Sequence, residues 1–159
     1  MVMVGSVGAD ATMRKKSLEE LYGITKKDVK LTRVKTKSGK WLEYFKNPSG
    51  EELLRVEIEF PEFTCLCPRT GHPDFANITL KYVPDKRCVE LKALKYFYNS
   101  FRDEGHFHEQ VISTIYTDLE EVLKPAYLMV VGDFAVRGGT YPRVTRGKWI
   151  MEQGSGKGV

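Results

Sequence analysis

Residues 54–60, Leu54-Arg55-Val56-Glu57-Ile58-Glu59-Phe60, alternate apolar and charged side chains at every step, and Pro61 follows them. Residues 76–82, Ala76-Asn77-Ile78-Thr79-Leu80-Lys81-Tyr82, repeat the alternation and run out at Pro84-Asp85. A period of two belongs to a strand with one buried face, so the pair predicts two strands, the first closed by Pro61. From Glu90 the period lengthens. Leu91, Leu94, Tyr98 and Phe101 fall on one helical stripe, while Lys92, Lys95, Asn99 and Arg102 gather on another. After Gly105 a second helix is expected, burying Val111, Ile112, Ile115, Leu119 and Val122, exposing Thr114, Thr117, Asp118 and Glu121, and stopped by Pro125. Tyr127 to Ala135 reads as a buried strand, and Arg137-Gly138-Gly139 as a turn into a last short strand near Tyr141. This order of elements predicts an α+β domain with both helices on one face of an antiparallel sheet.

The chain has 159 residues, 42% of them hydrophobic, which suits one domain with a real core. Residues 17–150 are expected to form it, between tails at 1–16 and 151–159, the latter rich in glycine. The first residues lack the apolar core of a secretory signal, and the longest uncharged apolar run, Ala126 to Gly132, is far short of the roughly 20 residues that cross a bilayer. A soluble, cytoplasmic protein is therefore expected. Cys65, Cys67 and Cys88 make an odd count without export signals, which predicts free thiols. The net charge of +4 is modest, but residues 26–40 hold Lys26, Lys27, Lys30, Arg33, Lys35, Lys37 and Lys40 against Asp28 alone. That stretch fits a solvated strand face, because Arg33, Lys35 and Lys37 alternate with Thr32, Val34 and Thr36; it would also attract phosphate. It is no evidence for RNA binding.

Between the two predicted strands lies Phe63-Thr64-Cys65-Leu66-Cys67-Pro68-Arg69-Thr70-Gly71-His72-Pro73-Asp74, a proline-stiffened loop with two thiols. Loops of this kind carry sites. A thiolate is a strong nucleophile towards electrophilic carbon, and a folded turn would bring the Asp74 carboxyl close to Cys67. Two ordinary half-buried thiols fit the same residues. Zinc is a rival use of the cysteines with His72, His106 and His108, but no Cys-x-x-Cys is present. Helical periodicity sets His108 on the side of Val111, Ile112 and Ile115, pointing at the core or at a cleft. Glu109 in the first turn either serves the helix dipole or accepts the N–H groups of a guanine-like edge. No Gly-x-Gly-x-x-Gly follows a strand, so a nicotinamide would bind without a Rossmann loop. Lys92 and Lys95 share a helix face and, with Arg137, are candidates for dinucleotide phosphates; a solvated helix face explains the lysines equally well.

Three blocks, Glu62 to Asp74, Glu90-Leu91-Lys92-Ala93-Leu94-Lys95-Tyr96-Phe97, and Phe107-His108-Glu109, together resemble the NADPH-dependent 7-cyano-7-deazaguanine reductases, the nitrile oxidoreductases of queuosine (tRNA-modification) biosynthesis, in their short single-module form. The resemblance covers roughly residues 51–149. It implies the tunnelling fold: a four-stranded antiparallel sheet with two helices inserted after the second strand, assembling into oligomeric barrels with active sites between subunits. A homo-oligomer of two stacked pentameric rings would follow. It also implies that Cys67 adds to the nitrile carbon of a deazapurine to give a thioimide, that Asp74 protonates the nitrogen, and that two NADPH complete the four-electron reduction. His108 would orient the substrate or help proton transfer, and Glu109 would read the base edge. Val89, Glu90 and Leu91 would line the same pocket, with Lys92, Lys95 and Arg137 as cofactor contacts. Two positions depart from the family's usual residues, Cys65 where Ser is common and His72 where Gln is. The alternatives are an archaeosine-type amidinotransferase of the same fold, a zinc-dependent GTP cyclohydrolase, and a non-catalytic purine-binding module. The Glu90 to Phe97 block speaks against the first, and the missing metal spacing against the second.

Overall fold

The structure is a computed structural model that describes residues 30–147. The expected tails at 1–16 and 151–159, and Lys26, Lys27 and Asp28 of the basic run, lie outside the described residues. The chain forms β1 (Thr32–Lys35), β2 (Trp41–Lys46), β3 (Val56–Leu66), β4 (Pro73–Val83), β5 (Arg87–Val89), α1 (Leu91–Asn99), α2 (His108–Leu123), β6 (Tyr127–Phe134) and β7 (Arg143–Gly147). They build two sheets, β1-β2-β5 and β3-β4-β6-β7, in which every neighbouring pair is antiparallel. The larger sheet has the expected four strands, and both helices enter the chain after its second strand.

The alternation at 76–82 does what its period requires: Ala76, Ile78, Leu80 and Tyr82 are buried, as are Leu128 and Val130 of β6 and Val111, Ile112, Ile115 and Leu119 of α2, in one core. Each large side chain so buried contributes about 1.5–3 kcal/mol. On the other side of the core an aromatic cluster clamps α1 to β3, with Phe60 stacked on Tyr98 at 5.0 Å and Phe97 edge-on to Phe101 at 5.4 Å.

Three expectations need correction. Pro61 does not close the first strand: β3 runs on to Leu66, with a register shift between Phe60 and Phe63. β3 is an edge of its sheet, where a proline's missing N–H costs no ladder bond, and a bulge reverses which residues face inward. The inward-facing set therefore passes from the partly buried Val56, Ile58 and Phe60 to the fully buried Phe63 and Cys65. Leu91 is 62% exposed because it stands in the first turn of α1, whose buried stripe is Leu94, Phe97 and Tyr98, with Phe101 buried just beyond it. Asp118 is buried, because its carboxylate accepts hydrogen bonds from the Ser38 N–H and hydroxyl and so ties the β1–β2 turn to α2. The last short strand expected near Tyr141 is β7, which begins at Arg143, two residues past the exposed Tyr141. Within the basic stretch, Arg33 and Lys35 do lie on the solvated face of β1, whereas Lys40 is buried.

Candidate active site

Cys67 stands where β3 ends, and the ladder places Cys65 opposite Asp74 and Leu66 opposite Pro73. The connection folds into a single tight turn. The Cys67 N–H donates to the His72 carbonyl (2.8 Å), and the Gly71 N–H donates to the Cys67 carbonyl (2.8 Å). Gly71 has φ +70°, a conformation that glycine reaches without a side-chain penalty. Cys67 thus occupies the position of an N-cap, Pro68 suits the first residue of the turn, and the next two amides point back at the sulfur. The Thr70 hydroxyl, then the Arg69 and Thr70 N–H groups, pull the Cys67 thiol from its ordinary 9.0 down to about 7; desolvation opposes them, and Arg137 adds a lesser pull downward. Cys65 is fully buried, and burial, with the charges of Asp74 and Cys67, pushes its thiol up to about 11. Burial also pushes the Cys88 thiol up. One of the three thiols is therefore built to react near neutrality.

Asp74 faces inward at the start of β4 and is 4% exposed. Its two oxygens meet two cations or potential cations: Arg137 Nη1 lies 2.5 Å from Oδ1 and His108 Nε2 lies 3.3 Å from Oδ2. The His108 ring stacks on Phe134, with centroids 3.7 Å apart and planes at 9°. The β3–β4 turn, β4, the start of α2 and the β6–β7 turn each supply one of Cys67, Asp74, His108 and Arg137. Glu109 follows His108 in the chain and is exposed in the first turn of α2. His72 is exposed on the turn.

The remaining candidates are elsewhere in the chain. Val89 donates its N–H to the Tyr82 hydroxyl (3.1 Å), at the opposite end of β4 from Asp74. At about 3.3 Å per residue, that end lies roughly 26 Å away. There Val89, Glu90 and Leu91 border a largely apolar cleft of about 420 Å³ with Phe45, Val56 and Ile58. The Glu90 carboxylate caps α1, accepting from the N–H groups of Lys92 (3.1 Å) and Ala93 (2.7 Å). Lys92 and Lys95 are exposed on α1. Sequence reading did not single out Thr70 or Phe134. Thr70 had a signal, a hydroxyl three residues after a cysteine that precedes proline; Phe134 had none, since its meeting with His108 depends on how α2 lies over β6. Among the described residues no group of three or more His, Cys, Asp or Glu side chains is placed to hold a metal ion.

The fold and the site define an α+β protein in which a thiol drawn down by its own turn is linked through Arg137 to a buried carboxylate. A family model described as QueF-like protein matches residues 73–149. Proteins named NADPH-dependent 7-cyano-7-deazaguanine reductase are similar to it: that of Nitrosomonas europaea is 50% identical over 109 residues, 69% of this chain and 78% of the relative. That of Anaeromyxobacter sp. (strain Fw109-5) is 53% identical over 110 residues, 69% of this chain and 90% of the relative. Among solved structures, the archaeosine synthase QueF-Like in the apo form shares the fold with a TM-score of 0.54 at 20% identity, covering 64% of this chain and 95% of its own. The chain belongs to the NADPH-dependent 7-cyano-7-deazaguanine reductase family.

Proposed function

We propose that this chain reduces the nitrile of 7-cyano-7-deazaguanine to 7-aminomethyl-7-deazaguanine with NADPH, the nitrile reductase step of queuosine biosynthesis. The observation that carries the chemistry is the Cys67 thiol, drawn down to about 7 by the turn that holds it and linked through Arg137 to a buried Asp74. A thiolate at neutral pH adds to the nitrile carbon. The C–S bond forms as one π pair of the nitrile moves onto nitrogen, which takes a proton from the Asp74–His108 pair, leaving a thioimide on Cys67. Arg137 holds the Asp74 carboxyl in place from the other side. NADPH, when bound, supplies the hydride for each of the two reduction stages.

The residues suit such a cofactor: Lys92 and Lys95 are exposed cations on one face of α1, fit to hold phosphates, and Arg137 offers a guanidinium at the edge of the site. Glu109 accepts the N–H groups of the base edge, and His108 orients the ring. The Val89, Glu90 and Leu91 cleft takes part through a second copy of the chain. Copies join as a tunnelling-fold barrel of two pentameric rings, in which the cleft of one subunit faces the Cys67 of the next. An archaeosine-type enzyme, with ammonia in place of hydride, shares the fold, but the likeness there is 20% against about 50% for the named reductases.

Two measurements test this. NADPH absorbance should fall when the cyano base is added, and intact mass without NADPH should show one substrate adduct on the wild type and none on Cys67→Ala. An adduct on Cys67→Ala, or no NADPH consumption by the wild type, overturns the reading.

A further inference from the structure

We infer that Glu104, Gly105 and His106, locked by Lys40, form a strap that positions the Cys67 turn from the far side of β3. The inference rests on the reading of Cys67 as the nucleophile. β3 is an edge strand, so the outward N–H and C=O of Leu66, the residue before Cys67, need partners outside the sheet. The strap provides both. Leu66 N–H donates to the Glu104 carbonyl (2.9 Å) and the Leu66 carbonyl accepts from His106 N–H (3.0 Å), a parallel bridge centred on Gly105. Gly105 also rests on the proline that starts the turn: a Cβ at this position would stand 3.3 Å from Pro68 Cα.

The strap is itself held. One oxygen of Glu104 takes the Lys40 ammonium at 2.5 Å and the other takes His106 Nε2 at 2.9 Å. The Lys40 side chain is 8% exposed, with Nζ 4.2 Å from the centre of the Phe101 ring, and His106 packs edge-on to that ring at 5.7 Å. A buried ammonium is costly unless a carboxylate meets it, so Lys40 gives Glu104 one favoured place. Two residues past His106 the same segment becomes α2 and delivers His108 to Asp74. Nucleophile and carboxylate are thereby referenced to one short piece of chain. No contact joins Lys40, Glu104 or His106 to Cys67 or Asp74, so they are positioning residues. They act through Leu66 and Pro68 on the direction in which the Arg69 and Thr70 amides meet the sulfur.

The test is the rate of Cys67 alkylation by iodoacetamide from about pH 6 to pH 9, located by peptide mass mapping. Thr70, Arg137 and Cys65, which act on this thiol, and Asp74, which holds Arg137, are left intact in every variant. Glu104→Ala, which frees the strap, and Gly105→Ala, which pushes it off Pro68, should each lower the rate at pH 7 by about five-fold or more and move the half-point up towards an ordinary thiol. Glu104→Gln, which keeps an oxygen for Lys40, should recover most of the rate. In turnover, kcat should fall with the KM for NADPH unchanged. If Glu104→Ala does not fold, Gly105→Ala carries the test, since it keeps the Lys40, Glu104 and His106 side chains. A wild-type alkylation profile in Gly105→Ala, or an ordinary thiol profile in the wild type itself, overturns the strap. Alkylation needs neither nitrile nor NADPH. A chain that fails to reduce the nitrile yet shows these alkylation shifts would remove the reductase reading and leave the strap standing.

Discussion

Cys65 and Cys67 are two residues apart and chemically opposite, one buried and pushed up to about 11, the other capped by amides and drawn down to about 7. Cys67→Ala should therefore lose all reductase activity and adduct, whereas Cys65→Ser should keep both, as activity assays and intact mass will read. In the wild type, alkylation should label Cys67 with a half-point near pH 7 and leave Cys65 and Cys88 untouched until the protein unfolds. Glu109→Ala should weaken substrate binding, by roughly 1–3 kcal/mol for each base donor left unpaired, as calorimetry would measure. At this scale the sequence was informative wherever one residue type has few uses: Cys67, Asp74 and His108 were each legible from a loop, a strand start and a helix start. Arg137 was legible as a cation; its seat on Asp74 was not, because the two are brought together by the pairing of β4 with β6.

The elements impose their own tests. Glu90 caps α1 with both oxygens, so Glu90→Ala should destabilise the fold by about 1 kcal/mol in denaturant titration, apart from any loss of substrate binding. On Glu104, burial acts upward, but the hydrogen bonds and charges of His106 and Lys40 outweigh it and hold the carboxyl below its ordinary 4.5. A depressed carboxyl stabilises the fold above its unfolded value and loses that contribution as pH falls through the folded one. Thermal melts should thus favour the wild type over Glu104→Gln at neutral pH, by no more than about 1 kcal/mol because the Glu104 carboxylate is itself 44% exposed, and the difference should shrink as pH falls below the ordinary carboxyl value and vanish below the folded one. Changing both Lys92 and Lys95 on α1 to Ala should raise the KM for NADPH while leaving thioimide formation intact, because the adduct step uses no hydride. Equal damage to both steps would place the lysines in structure. Element boundaries proved less legible than element types. The bulge after Phe60 hid the second half of β3, since it reverses the alternation that announces a strand.

For the whole molecule, the distance along β4 between Asp74 and the Tyr82 end is the decisive fact, because it keeps Val89, Glu90 and Leu91 from meeting Cys67 within one chain. If the site is completed between copies, Cys67→Ala and Glu90→Ala are defects on different sides of one interface. Each should be inactive alone, and subunits mixed under denaturing conditions and refolded together should regain part of the activity. Mixtures as inactive as their components would mean that the cleft at Glu90 serves something other than this reaction.

Sequence alone determined what depends on near neighbours along the chain. Alternation at 76–82, helical stripes around Leu94 and Ile115, and the Cys67-Pro68-Arg69-Thr70-Gly71 turn are local patterns, and each reports the face that must leave water. Tertiary structure decided what depends on distant segments arriving at one place. The β1-β2-β5 sheet was unreadable because β5 has three residues, too few for any period. Asp118 looked solvent-facing by helical count and is buried by a turn that lies 80 residues earlier in the chain. Lys40 looked like one more surface cation and is instead buried against Phe101, with Glu104 as its counter-charge. A period records which way a side chain points from its own backbone; the segment that packs over it comes from elsewhere in the chain and leaves no mark in that period.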